Sequence, residues 1–284
     1  MDLKPQKLML VISFIVSFIV LWDYCIMDYL KNLVVLFHEL CHALAAILTG
    51  GKVQYILVHG NEAGETAIVQ NNYSLSFFFV ISAGYIGSSF IGAILLNRGL
   101  SGKFEKESLF ITGIFLFFMV YHFSFIGNLA YTIGIGWGVA FIFISLLSRF
   151  LASLCLIFIG TSVSLYSIYD LVDFARSIHQ TDAGILAFYL TKVFSIDNVN
   201  LQSLGYIIAA LWSFISIGII YSIVKLTFQT SKENIDKNLQ ILQKQIMENK
   251  IKPDVVGWFL SRGIDLDGKP LPKDFITKIK KKRN

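Results

Sequence analysis

Charge is what this chain has least of. Only 15% of its 284 residues are Asp, Glu, Lys or Arg, against about a quarter in ordinary soluble domains. Hydrophobic residues make up 55%, with 25 phenylalanines among them, and the mean hydropathy is +0.65. That balance excludes a soluble enzyme and a disordered chain and places the protein in a bilayer. Cysteine is scarce too: Cys25, Cys41 and Cys155 are odd in number and lie in apolar segments. They support neither a disulfide framework nor a cysteine-only metal site. There are four prolines, three of which (Pro253, Pro270 and Pro272) fall near the C-terminus, so no long apolar run contains a helix breaker.

The net charge of +5 is unevenly placed. Residues 230–284 hold 13 Lys or Arg against 7 Asp or Glu, so the basicity belongs to the tail. Ahead of it, runs long enough to cross about 30 Å of hydrocarbon number seven, at 8–29, 27–48, 75–96, 109–126, 129–147, 150–171 and 204–226. Asp23, Asp28 and Lys31 mark a tight first connection, and the first span is expected to stay as an anchor. The expected architecture is an all-α polytopic membrane protein, with a transmembrane domain over 1–228 and a small, basic, helical soluble appendage over 229–284. Thr230 three residues before Glu233 reads as a capping box, followed by Ile235, Leu239, Leu242 and Ile246 at helical spacing. Asp265-Leu-Asp267-Gly268 lacks the spacing of a calcium loop and reads as a turn, and the terminal KIKKKRN reads as a solvated end.

Within the second span the sequence LVVLFHELCHALAAILTGG sets His38, Glu39 and His42 in an apolar helix. Residues four apart lie one above the other on a helix face, so the two imidazoles can share one metal ion. Glu39 is rotated by about 100° from His38, where its carboxylate can reach a water activated by the metal. This is the geometry of a zinc hydrolase. By composition alone the HExxH pattern would arise about 0.002 times in this chain, and two imidazoles and a carboxylate in hydrocarbon are costly unless paired. Cys41, on the same turn, reads as a small packing residue.

Two histidines leave a catalytic zinc one protein ligand short, and a carboxylate from another helix is the natural supplier. Between Glu107 and the tail the only acidic residues are Asp170, Asp173, Asp182 and Asp197. Asp170 and Asp173 share one helical face, while Asp182 stands where it could equally cap the helix AGILAFYL. Spacing leaves the choice among the three open. With seven spans, the exit ends of the second and sixth fall on the same side of the membrane, so the histidines and aspartates can meet at similar depth.

At these residues the sequence resembles the site-2 protease family of intramembrane zinc metallopeptidases, in particular its compact branch. The resemblance rests on FHELCHALAA at 37–46, GGKVQYILVHGNEAGET at 50–66, SAGYIGSSFIG at 82–92, and YSIYDLVD with TDAG at 166–184. It implies that His38 and His42 bind zinc, that Glu39 is the general base, and that an aspartate on a later helix completes the site. It also implies that 52–72, with Val53, Tyr55 and Leu57 alternating before a glycine-rich turn, forms a β-hairpin beside the active site. Such a hairpin can pair with an unwound substrate strand. Well-known members carry Asn-Pro before Leu-Asp-Gly at the aspartate ligand; here Tyr169-Asp170 and Thr181-Asp182-Ala183-Gly184 stand instead, and Asp182 is favoured slightly over Asp170. Gly84, Gly87, Ser88 and Ser89 read as a close-packing surface beside the metal helix, with a substrate role for Gly84, Gly87 and Ser88. His59, beside Glu62, is a further candidate, whereas His122 and His179 read as interfacial.

The expected function is a zinc endopeptidase that cuts a membrane-anchored protein within the lipid bilayer, multi-pass in the cell membrane and with no nucleic-acid partner. The rival reading is an inactive scaffold, or a metal-binding or transporter-like protein on the same fold. Counted with the tail, Lys and Arg on the two sides stand at 19 to 5, which puts the tail in the cytoplasm. The resemblance instead puts the hairpin and metal there, and seven spans would separate the two.

Overall fold

The computed structural model describes residues 3–22, 24–69, 75–169, 181–195 and 200–247. The chain divides into two compact units, Val11–Lys225 and a second comprising Met1–Leu10 with Leu226–Asn284. In chain order the elements are α1 (Leu3–Leu21), one 3-10 turn (Cys25–Met27), α2 (Asp28–Leu48), β1 (Lys52–Val58), β2 (Gly64–Val69) and α3 (Leu75–Ser101). There follow α4 (Glu105–Phe123), α5 (Leu129–Leu147), α6 (Arg149–Ser164), the short α7 (Tyr166–Tyr169), α8 (Asp182–Val193) and α9 (Leu201–Met247).

Five segments among the described residues are long and apolar enough to cross a membrane: Cys25–Leu48, Leu75–Ser101, Glu105–Phe123, Leu129–Leu147 and Leu201–Thr227. The apolar helices Lys7–Leu21 and Arg149–Ser164 are shorter. The overlap expected between the first two spans resolves at the 3-10 turn, so that Asp28 opens α2, where its charge suits the helix N-terminus. The helix start expected at Thr230 is not found there. Residues 201–247 hold no proline, and α9 runs unbroken through Thr230 and Glu233. The expected turn and apolar cluster beyond residue 247 lie outside the described residues.

α2 is the centre of the fold, with residues 30–43 buried throughout. Its C-terminus is closed by Gly50 at φ +83°, a conformation that costs glycine little, with Gly51 N–H donating to Ala46 O and Gly50 N–H to Ile47 O. That sharp stop turns the chain straight into the hairpin. β1 and β2 pair antiparallel, Val53 facing Ile68 and Val58 facing Gly64. An irregularity between Val53 and Tyr55 changes the alternation, so Val53, Ile56 and Val58 turn toward the core, while Tyr55 packs on Phe125 and donates to Glu65. The simple alternation of Val53, Tyr55 and Leu57 is thereby corrected: one extra residue moves every later side chain to the other face.

α3 crosses beside α2 and packs closely on α6, where Gly92 and Gly160 bring backbone onto backbone. α9 runs parallel to α3, with Trp212 stacked on Tyr85 and Ile223 O accepting from Asn97. Within the larger unit, Lys225 therefore lies toward the α3 C-terminus, away from the hairpin root.

Candidate metal centre

His38 and His42 project from one face of α2, as a four-residue separation dictates. The third member comes from α8. Thr181, in extended conformation, caps that helix with its hydroxyl accepting from Gly184 N–H. The capping role weighed for Asp182 thus falls to its neighbour, and the Asp182 carboxylate turns to the histidines. His38 Nε2 and His42 Nε2 are 2.9 and 3.0 Å from Asp182 Oδ2, and 3.0 Å from each other. Asp170, Asp173 and His179 lie outside the described residues.

The donor set fits a zinc ion. Two imidazole nitrogens and a carboxylate oxygen form a near-equilateral triangle, close to the roughly 3.3 Å that separates tetrahedral ligands at zinc distances. His42 Nδ1–H donates to Val80 O at 2.7 Å, since a carbonyl only accepts, and this leaves a lone pair on Nε2 in the neutral ring. A lone pair 3.0 Å from a carboxylate oxygen repels it unless a cation or a proton lies between. Among the described residues this is the grouping able to hold a metal ion. The His38 ring stands edge-to-face against Tyr85 and Tyr166, which stack on each other.

Glu39 is buried beside this triad. Its Oε2 accepts from the Thr66 hydroxyl at 2.6 Å, and the same hydroxyl lies 3.1 Å from its backbone oxygen. Gly64 lies so close that a β-carbon there would overlap the Glu39 carboxylate. The hairpin is therefore laid directly on this side chain. Glu39, His42 and Asp182 open onto one cavity of about 370 Å³, walled by Gly64, Glu65, Thr66 and Ile68 of β2, by Phe77, Val80 and Ile81 of α3, and by Ile185 of α8.

The remaining sequence candidates lie elsewhere. Gly84 faces the histidines and Gly87 faces Cys41, so both serve the approach of α3 to α2. Ser88 donates to Tyr85 O within its own helix, and Ser89 donates to Ser164 O. His59 is exposed on the hairpin turn, where its N–H donates to Ala63 O. None of Gly84, Gly87, Ser88 and His59 lines the cavity, because the α2–α3 interface is closed by close packing and the turn lies at the far end of the hairpin. Sequence reasoning missed Thr66 and the Val80 carbonyl; neither carries a local signature, since one is a single hydroxyl and the other is backbone.

Gly84 yields a sharp prediction. A β-carbon there would overlap both imidazoles, and α2 and α3 cannot part without opening the core. Gly84→Ala is expected to lower zinc occupancy at least tenfold, about what losing a ligand-orienting contact costs, with helix content retained. Metal analysis alongside circular dichroism checks this, and wild-type zinc content would refute it.

A family model described as Peptidase M50B-like matches residues 11–233, a stretch that takes in α2, the hairpin, α3 and Asp182. No curated protein and no solved structure matches the chain. The match covers well over half of the sequence, and the chain belongs to the Peptidase M50B-like family, within the site-2 proteases.

Proposed function

We propose that this protein is a zinc-dependent intramembrane endopeptidase, hydrolysing a peptide bond of a membrane-spanning protein. The observation that carries the reading is the His38, His42 and Asp182 cluster, of which His42 and Asp182 open with Glu39 onto one cavity. A zinc ion held by His38, His42 and Asp182 would supply Lewis-acid polarisation of the scissile carbonyl and a lowered pKa for water. Glu39 takes a proton from the attacking water and gives it to the departing amine nitrogen as the C–N bond breaks. The Thr66 hydroxyl holds one carboxylate oxygen of Glu39 through both transfers.

A helical substrate has its carbonyls engaged, so it must unwind first. Among the described residues β2 pairs with β1 on one side only, and it lines the cavity with Gly64, Glu65, Thr66 and Ile68. An extended substrate segment fits along that strand, adding main-chain hydrogen bonds. The cavity volume falls within the range of small-ligand sites, and its polar floor admits the water that hydrocarbon would withhold. We read the apolar helices Lys7–Leu21 and Arg149–Ser164 as further membrane segments beside the five longer ones, making a multi-pass protein of the cell membrane. Cleavage of a single-span, membrane-anchored reporter by purified protein tests the reading, with Glu39→Gln as the discriminating variant.

The charge excess of the tail supports a cytoplasmic C-terminus, and the parallel course of α3 and α9 supports a hairpin root on the opposite face. In a cysteine-free background, an impermeant thiol reagent added to intact cells is expected to label Lys52→Cys but not Asn284→Cys. The reverse pattern would put the hairpin root at the cytoplasmic face.

A further inference from the structure

The hairpin lying on Glu39 is tied down near its turn by a charge pair that the proposed reaction does not use. Lys31, in the first turn of α2, has 7% of its side chain exposed, and its Nζ is 2.8 Å from Glu62 Oε1. The same ammonium lies 5.0 Å from the Trp22 ring centroid and 4.0 Å from Asp28 Oδ1. A buried ammonium is unfavourable unless paired, so the lysine has a strong requirement for the hairpin residue. Glu62 sits at φ +65°, a left-handed conformation that residues other than glycine adopt at a cost, so contacts such as this one must hold the turn in shape. Gly64 and Thr66, which follow within four residues, are the ones that contact the Glu39 carboxylate.

We propose that Lys31 is a positioning residue: by gripping Glu62 it sets how the hairpin sits on Glu39, and so aims that carboxylate into the cavity. The catalytic consequence rests on the protease reading above; the mechanical tie does not. Lys31 and Thr66 act in series, one holding the turn and the other touching Glu39. Breaking the first contact matters only while the second transmits it.

The test uses full-length protein in lipid nanodiscs, comparing wild type, Lys31→Met, Thr66→Val and the double variant. Lys31→Met is expected to speed amide hydrogen exchange over residues 59–66 while zinc content stays the same. It is also expected to lower kcat on the membrane-anchored reporter about tenfold, with KM changed less than about twofold, as a small displacement of a reacting group would. In the Thr66→Val background the same change is expected to add less than about twofold, the non-additivity of groups that act as one chain. Lys31→Arg should restore wild-type exchange. Glu62→Met, at a side chain 38% exposed, removes the acceptor and should repeat the Lys31→Met signature even if that variant fails to fold. Unchanged exchange in Glu62→Met overturns the proposal, and so does a tenfold loss that persists undiminished without Thr66. A wild type that leaves the reporter intact would sink the protease reading, while the exchange measurement still decides whether the tie exists.

Discussion

Glu39→Gln is expected to abolish cleavage of a membrane-anchored reporter while zinc stays bound. Glutamine matches glutamate in shape, so it still fits beneath Gly64, and its amide oxygen still accepts from Thr66. What it lacks is a site for the proton of the attacking water. General-base catalysis is commonly worth 10²–10⁴-fold, so a loss of about 10³-fold in kcat is the expected size. The three residues proposed to hold zinc are untouched, and metal analysis should therefore read the same in variant and wild type. Cleavage that continued at the wild-type rate would remove Glu39 from the mechanism. A wild type without zinc or activity would favour a scaffold or transporter-like role.

Asp182→Ala should empty the metal centre. Its Oδ2 lies 2.9 and 3.0 Å from the two imidazole nitrogens, and removing it would leave two ligands where catalytic zinc sites use three. Residues that merely support a ligand are worth about 10–100-fold in metal affinity, so loss of a ligand itself is expected to exceed about 100-fold. The helix should survive, because the cap of α8 is the Thr181 hydroxyl and alanine is tolerated in a first helical turn. Asp170→Ala is the matched control, expected to keep its zinc. Competition with a chromophoric chelator reads both affinities, and if it is Asp170→Ala that empties the site, the ligand assignment is wrong.

Both predictions join a part of the centre that was plain from local pattern to a part that was not. His38, Glu39 and His42 share two turns of one helix, and the helical period alone puts the two imidazoles together and the carboxylate at their side. The apolar runs and the sharp stop at Gly50-Gly51 are likewise local, because burial in lipid and backbone sterics act within a few residues. The hairpin was foreseen, but which face it buries was not. The irregularity near Gln54 reverses the alternation, and nothing in KVQYILV announces it.

The sequence by itself determined that this is a membrane protein with few ionisable groups, two of them histidines paired on one helix. Spacing could not single out Asp182 among the three aspartates, because it lies 140 residues from His42 and no spacing rule spans that distance. Its approach to the histidines turns on a cap: Thr181 closes α8, and that frees the next carboxylate. The contacts of Thr66 with Glu39 and of Glu62 with Lys31 are of the same kind, across 27 and 31 residues. Helix periodicity and hydrophobicity are properties of neighbouring residues and can be read along the chain. The partner of a polar group is whatever packing brings within 3 Å, and only the folded chain decides that.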